Sequence, residues 1–456
     1  MANNIYKTML LIAGVTIAGN AIAQKKQAFS TADYIRALKD ATDIMVNDVT
    51  SPVAASRYYA YITLAANETV CQFNTQHPDF AGTLNEFEPL NVPAGLAKNS
   101  DEHLSTVLAV YEAAVRLLPS GVKLNRNIDS IKTLARKRRM DTARVNASDR
   151  LAKAVVQEVI SYSAKDGFSK LSGYKRFTPQ DGDEFWKPTA PGFMPALEPY
   201  WQTLRPFAID SASQYSHGGL TKYDTDSSSA FYDQMMEVYS IVNNMTKDQA
   251  AQASFWDCNP YALQQLGHLE FGIKKISPGG HWIGITGIAC KKKNLDLGQT
   301  AFVHAMVSVG LADAFITCWD TKYRFDRVRP ETAIKKLVDH HWRPYLQTPP
   351  FPEYTSGHSV VSTTAATILT NLLGDNFAFT DNTEEEFGLP ARKFKSFKDA
   401  SNEAALSRLY GGIHYRDAVE MGQVEGDEIG SHVVKKTAKL VAQIKLNGAE
   451  NGQAKN

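Results

Sequence analysis

Apolar residues recur at three- and four-residue spacing along most of the chain, the mark of helices that bury one face. The pattern predicts helices over 34–46, 56–68, 103–118 and 148–164, then over 228–245, 260–274, 299–319, 357–373 and 417–446. Period-two runs of β-branched residues are scarce, so the expected fold class is all-α, built from packed helical bundles. Residues 177–207 break the pattern. The stretch FWKPTAPGFMPALEPYWQTLRPF, from Phe185 to Phe207, carries too many prolines to continue as one helix. Its aromatics are expected to pack it onto the bundle. Pro278-Gly279-Gly280-His281-Trp282 reads as a further turn. The segment 299–319 is apolar enough to invite a membrane reading, but His304 and Asp313 interrupt it, which favours a buried core helix.

The first 23 residues read differently. Lys7 precedes a short apolar run from Met9 to Ala18, and Ala21-Ile22-Ala23 forms a small-residue cleavage signal. This is the pattern of a secretory signal peptide over 1–23. The alternative, a membrane anchor, needs about 20 apolar residues. Residues 24–456 are then expected to form one exported domain, periplasmic or secreted, without a membrane span, ending in a polar tail after about Gly448.

Composition narrows the partners. Lys plus Arg number 49 against 48 Asp plus Glu, giving a net charge of +1. Nucleic-acid proteins carry a basic excess, so none is expected as a partner. Any anion site must come from local placement of cations. Cys71, Cys258, Cys290 and Cys318 show no C-x-x-C spacing, so a zinc site is not expected. Buried free thiols are expected for most of them, with at most one disulfide.

Three short segments carry candidate chemistry. In the first, Lys322 and Arg329 would share one face of a helix that Pro330 ends. A solvated basic helix end would look the same. In the second, prolines lead into Thr355-Ser356-Gly357-His358. Thr355 or Ser356 can cap the following helix, whose N-terminus offers free N–H groups to an anion. Gly357 permits close backbone approach, and His358 stands at the mouth as an acid or base. An ordinary capped helix with a surface histidine is the plainer alternative. In the third, Gly411-Gly412 can break a helix and turn His414 back toward Arg408. A helix corner with a satisfied histidine would share that pattern. Together, these residues suit a tetrahedral oxyanion. Three cations neutralise its charge, and arginine forks match its oxygens. One histidine can bind the central atom and the other can move a proton.

The combination K-x6-R-P, S-G-H and S-R-x5-H resembles the vanadium-dependent haloperoxidases and the acid phosphatases that share their site. Similarity extends to Phe185–Phe207, to FWDCNP at 255–260 and to PGGHW at 278–282, over roughly 30–445, and is strongest to the bacterial iodide-oxidising branch. The resemblance implies two four-helix bundles, with a vanadate-binding core over 310–440. It implies vanadate as cofactor, with His414 as the axial metal ligand. Lys322, Arg329, Ser356, Gly357 and Arg408 would hold vanadate oxygens, and His358 would be the acid–base group. Lys322 would also polarise hydrogen peroxide, the co-substrate of iodide. Trp319 and Phe351 would line the halide approach. Thr355 stands where the family pattern has proline, and Asp417 follows His414 by three residues rather than four. Asp257 and Asp320 are candidates for the acidic partner of the arginines. The expected activity is iodide oxidation by peroxide to hypoiodous acid. The competing reading is an exported acid phosphatase with His414 as phosphoryl acceptor. A non-enzymatic helical binding module is the third.

Overall fold

The computed structural model describes residues 28–266, 269–272, 274–444 and 446, and the predicted leader lies outside them. Its amphipathic segments fold as helices in two groups. Thr31–Asn47, Pro52–Cys71, Glu102–Leu117 and Thr142–Ser163 pack on one another in the first. Pro278–Lys292, Leu297–Phe325, Gly357–Leu373, Phe397–Tyr410 and Arg416–Lys436 form the second. Leu297–Phe325 also lies along Pro52–Cys71, so a continuous apolar core joins the groups. The all-α expectation holds. The strands among the described residues are two short antiparallel pairs, Leu263–Leu266 with Leu269–Gly272 and Phe379–Asp381 with Arg392–Phe394.

The first of these pairs corrects the helix expected over 260–274. Leu263, Leu266 and Leu269 have helical spacing, but Gly267 and Gly272 weaken a helix there. A second correction concerns Pro278-Gly279-Gly280-His281-Trp282. It is the first turn of a helix rather than a loop turn. Ser277 caps it by accepting from the Gly280 N–H at 3.1 Å, and Pro278 takes the first helical position. Helices at Asn125–Lys137 and Lys247–Phe255 add to those expected. All four cysteines are free thiols.

The helix Leu297–Phe325 organises the rest. It starts in a capping box between Asp296 and Gln299. By length and composition it could cross a membrane, but its most apolar stretch is wholly buried inside the protein. Asp313 explains the polar interruption seen in the sequence. Its carboxylate accepts from the N–H groups of Phe207 at 2.7 Å, Ala208 at 2.7 Å and Ile209 at 3.0 Å. The buried carboxylate thus ties down the far end of the proline- and aromatic-rich loop. At its other end that loop pairs with the chain after the helix: Trp186 N–H donates to Asp326 O, and Val328 N–H to Glu184 O, each at 2.8 Å.

A glycine stripe sets the closest helix pair. Gly422, Gly426 and Gly430 lie one turn apart on Arg416–Lys436, facing Gly357–Leu373. A Cβ at these positions would fall under 3.0 Å from the carbonyl oxygens of Ser356, Val360 and Thr364 respectively. Close approach lets Ser356 N–H bond to Ala418 O at 3.0 Å, which fixes the start of the Gly357–Leu373 helix. We predict that Gly426→Ala destabilises the fold by about 1–3 kcal/mol, the usual cost of overpacking. Thermal or urea unfolding measures it, and an unchanged midpoint would show that the helices can part freely.

Candidate active site

Each site side chain sits where a helix begins or ends. Leu297–Phe325 stops at Asp326, which adopts the left-handed conformation at φ 47° and ψ 36°. Lys322 lies in the last turn of that helix. Arg329 does not share its face, as the sequence pattern implied. The chain turns first, and Arg329 becomes the N-cap of the next helix, Pro330–Leu337. Pro330 therefore starts a helix instead of ending one. Ser356 is the N-cap of Gly357–Leu373, accepting weakly from Ser359 N–H at 3.4 Å and keeping its own O–H to donate. Phe397–Tyr410 ends at Gly411, and Gly412 at φ 75° swings the chain so that His414 returns beside the arginines.

His414 is held as a neutral imidazole. Its Nδ1–H donates to Glu353 Oε1 at 2.9 Å, which leaves the lone pair on Nε2. That atom lies 3.2 Å from Arg329 Nη1, which donates to it. Burial, with Arg329, Lys322, Arg408 and Arg327 nearby, holds the imidazole pKa well below 6.5. Glu353 also receives the Tyr415 N–H at 2.9 Å and Arg327 Nε at 2.6 Å. Arg327 in turn forks onto Asp417 at 2.6 and 2.7 Å. A buried chain of alternating charge thus orients His414.

Lys322, Arg329 and Arg408 are all buried. Among the described residues none of the three forms an ion pair with a carboxylate. Burial lowers the Lys322 pKa to about 8 and the Arg329 pKa to about 10. Lys322 differs from the expectation that it donates to the anion. Its ammonium bonds to the carbonyls of Pro352 at 3.1 Å, Glu353 at 3.0 Å and Thr355. It anchors the segment that carries Glu353 and Ser356, and its charge remains unpaired. Arg329 Nη2 and His358 Nε2 are buried without hydrogen-bond partners. Such orphaned groups are rare in folded proteins, and each is left for a ligand atom.

A cavity of about 40 Å³ lies over this ground, bordered by Gly357, His358, Arg408, His414, Trp319 and Phe351. A water needs only about 10–15 Å³ by this measure, so the cavity can take a small oxyanion or peroxide. Burial, with Arg408, His414 and His281 nearby, holds the His358 pKa well below 6.5, so it is a neutral proton acceptor. Trp319 and Phe351 pack with ring centres 5.0 Å apart. Phe351 lies 5.1 Å from both the Lys322 ammonium and the Arg329 guanidinium, a shared cation–π contact.

The structure therefore brings together Arg329, Ser356, Gly357, His358, Arg408, His414, Trp319 and Phe351. Of the proposed acidic partners, Asp320 pairs with Arg324 on the same helix. Asp257 pairs with Lys275, borders the cavity and favours the Arg408 cation electrostatically. Glu353 and Arg327 were missed. Arg327 lies between Lys322 and Arg329, and Glu353 in the proline-rich lead-in to Thr355; a cluster of buried cations requires a buried carboxylate nearby, which was the available signal.

Comparison with known proteins now decides the family. Residues 302–443 match the family model described as the VCPO second helical-bundle domain. A solved bacterial vanadium-dependent iodoperoxidase superposes with a TM-score of 0.84 and 40% identity, covering 90% of this chain and 97% of that one. This chain belongs to the vanadium-dependent haloperoxidases. Holo and apo structures of a bacterial vanadium-dependent chloroperoxidase share the fold at 15% identity, with TM-scores of 0.65 and 0.63 over 86% of this chain. No curated protein sequence matched. In this haloperoxidase, Glu353→Gln is expected to weaken vanadate binding about 10- to 100-fold, the range for loss of a carboxylate behind a metal-ligating histidine. Equilibrium titration with vanadate reads it. A pH effect follows from Lys322. Its folded pKa of about 8 lies below the ~10.4 of the unfolded chain, so the unfolded state binds the extra proton between them. Anion-free protein should gain stability from pH 8 upward in that window, and saturating vanadate should flatten the slope. Urea midpoints at several pH values check both statements.

Proposed function

We propose that this haloperoxidase is an iodoperoxidase that oxidises iodide with hydrogen peroxide. The observation that carries the reading is the 40% identity to a bacterial vanadium-dependent iodoperoxidase across nearly the whole of both chains. The vanadium dependence of the solved relatives implies a vanadate cofactor, and the site fits one. Its orphaned Arg329 Nη2, its buried cations and its neutral His414 suit a dianionic or trianionic oxide, with His358 Nε2 free to accept from a protonated oxygen.

In this reading His414 Nε2 would hold the metal. Arg329, Arg408, the Ser356 hydroxyl and the Gly357 amide would hold the oxygens. Bound vanadate supplies a Lewis-acidic centre that makes peroxide open to attack by halide. The protein's own groups do the rest. Neutral His358 accepts a proton at Nε2 as peroxide enters and returns it to the leaving oxygen. Lys322 and Arg329 add positive charge through the face of Phe351, while Lys322 keeps the Pro352–Thr355 backbone in place. Trp319 and Phe351 form an apolar wall along which a large, weakly hydrated halide approaches. The N-terminal leader makes this an exported enzyme whose mature chain begins at Gln24. Sequencing the N-terminus of protein from the source cell tests that.

Reconstituted with vanadate, the mature protein should form triiodide from iodide and peroxide. Rapid hydrolysis of p-nitrophenyl phosphate without any halide oxidation would make it a phosphatase instead. His414→Ala should abolish vanadate retention. His358→Ala should retain much of the vanadate and lose turnover. Full activity in either variant would overturn these roles.

A further inference from the structure

Cys258 lines the cavity, but its sulfur also belongs to a second cluster behind the cavity wall. Cys258 Sγ, His281 Nδ1 and a carboxylate oxygen of Glu384 are buried and lie within 4.8 Å of one another. Sγ is 3.6 Å from Nδ1, and Nδ1 is 3.1 Å from Glu384 Oε1. A tetrahedral zinc ion, with bonds of ~2.3 Å to sulfur and ~2.0 Å to nitrogen and oxygen, sets these separations at ~3.6 and ~3.3 Å.

The surroundings of these atoms also suit an ion. Glu384 Oε1 is buried, and its 3.1 Å contact with His281 Nδ1 is an ion pair that misses hydrogen-bond geometry. The other imidazole nitrogen, Nε2, is 2.7 Å from Asp381 Oδ2, as in carboxylate–histidine–metal arrangements. Asp381 is itself fixed by the Thr383 N–H at 3.0 Å and hydroxyl at 2.7 Å. The ring stacks on Trp256 at 4.5 Å, which sets its plane. The three residues come from the segment after Lys247–Phe255, the first turn of Pro278–Lys292 and the turn after Phe379–Asp381. The cavity beside Cys258 gives a route of entry.

We propose that Cys258, His281 and Glu384 form a binding site for a divalent transition metal of the zinc type, distinct from the vanadate pocket, with Asp381 orienting His281. The ion would cross-link the three segments. It would also fix the Trp256 backbone, which hydrogen-bonds His358.

The test uses untagged full-length protein purified without chelator. Elemental analysis should find about one equivalent of zinc or a similar ion per chain, separate from vanadium. After stripping, cobalt(II) should bind and give a sulfur-to-cobalt charge-transfer band in the near ultraviolet. Cys258→Ser should remove the band, and Glu384→Gln should weaken cobalt binding at least about 10-fold. The proposal is overturned if stripped wild-type protein gives no such band, and His281 is then a metal-free imidazolium between two carboxylates. It is equally overturned if Glu384→Gln binds cobalt as tightly as wild type, a reading that stands even if Cys258→Ser fails to fold.

Discussion

Lys322, Arg329 and Arg408 are buried and, among the described residues, form no ion pair with a carboxylate, and much of the surrounding structure answers that constraint. A buried charge left without its partner costs about 3–5 kcal/mol. Glu353 is present nearby but committed to Arg327 and His414, and Asp417 is committed to Arg327. The unpaired charge is therefore kept for a ligand. The lowered pKa values of Lys322 and Arg329 report the same desolvation.

The same charge sets the state of the histidines. An imidazole surrounded by arginines stays neutral, and a neutral imidazole can offer a lone pair. Glu353 decides which nitrogen offers it by taking the proton on Nδ1 of His414. His358, without such a carboxylate and with Nε2 unpartnered, is left to accept a proton. Two histidines thus take different tasks through their neighbours. The positions are enforced by helix ends: the left-handed turn at Asp326, the Ser356 cap and the Gly411-Gly412 break. The glycine stripe on Arg416–Lys436 keeps the capped helix in register against its partner.

Most of this was legible in the sequence because it lies in local patterns. Helical periodicity reports burial, and the motif residues carry their spacing with them. What escaped depends on contacts between distant segments. Arg329 was placed on the helix of Lys322, because spacing alone cannot reveal the turn at Asp326. The chain 263–272 became a hairpin despite helical leucine spacing. PGGHW looked like a turn, since Pro and Gly mark both turns and helix starts. Glu353 drew no notice because nothing local shows that a carboxylate beside prolines will face a histidine 61 residues away. Lys322 was assigned to the ligand by type, whereas its donors went to three backbone carbonyls that only the folded chain brings within reach.

The pocket stores unpaired positive charge that an oxyanion relieves. Arg408→Met tests it directly through denaturant unfolding with and without vanadate. Freed of vanadate, the variant should be as stable as the wild type or more so, because an uncompensated buried cation has been removed. Added vanadate should stabilise the wild type, by about 2.7 kcal/mol at a hundredfold excess over Kd, and the variant far less. A variant that is markedly less stable without vanadate, yet gains as much as the wild type on adding it, would contradict the account.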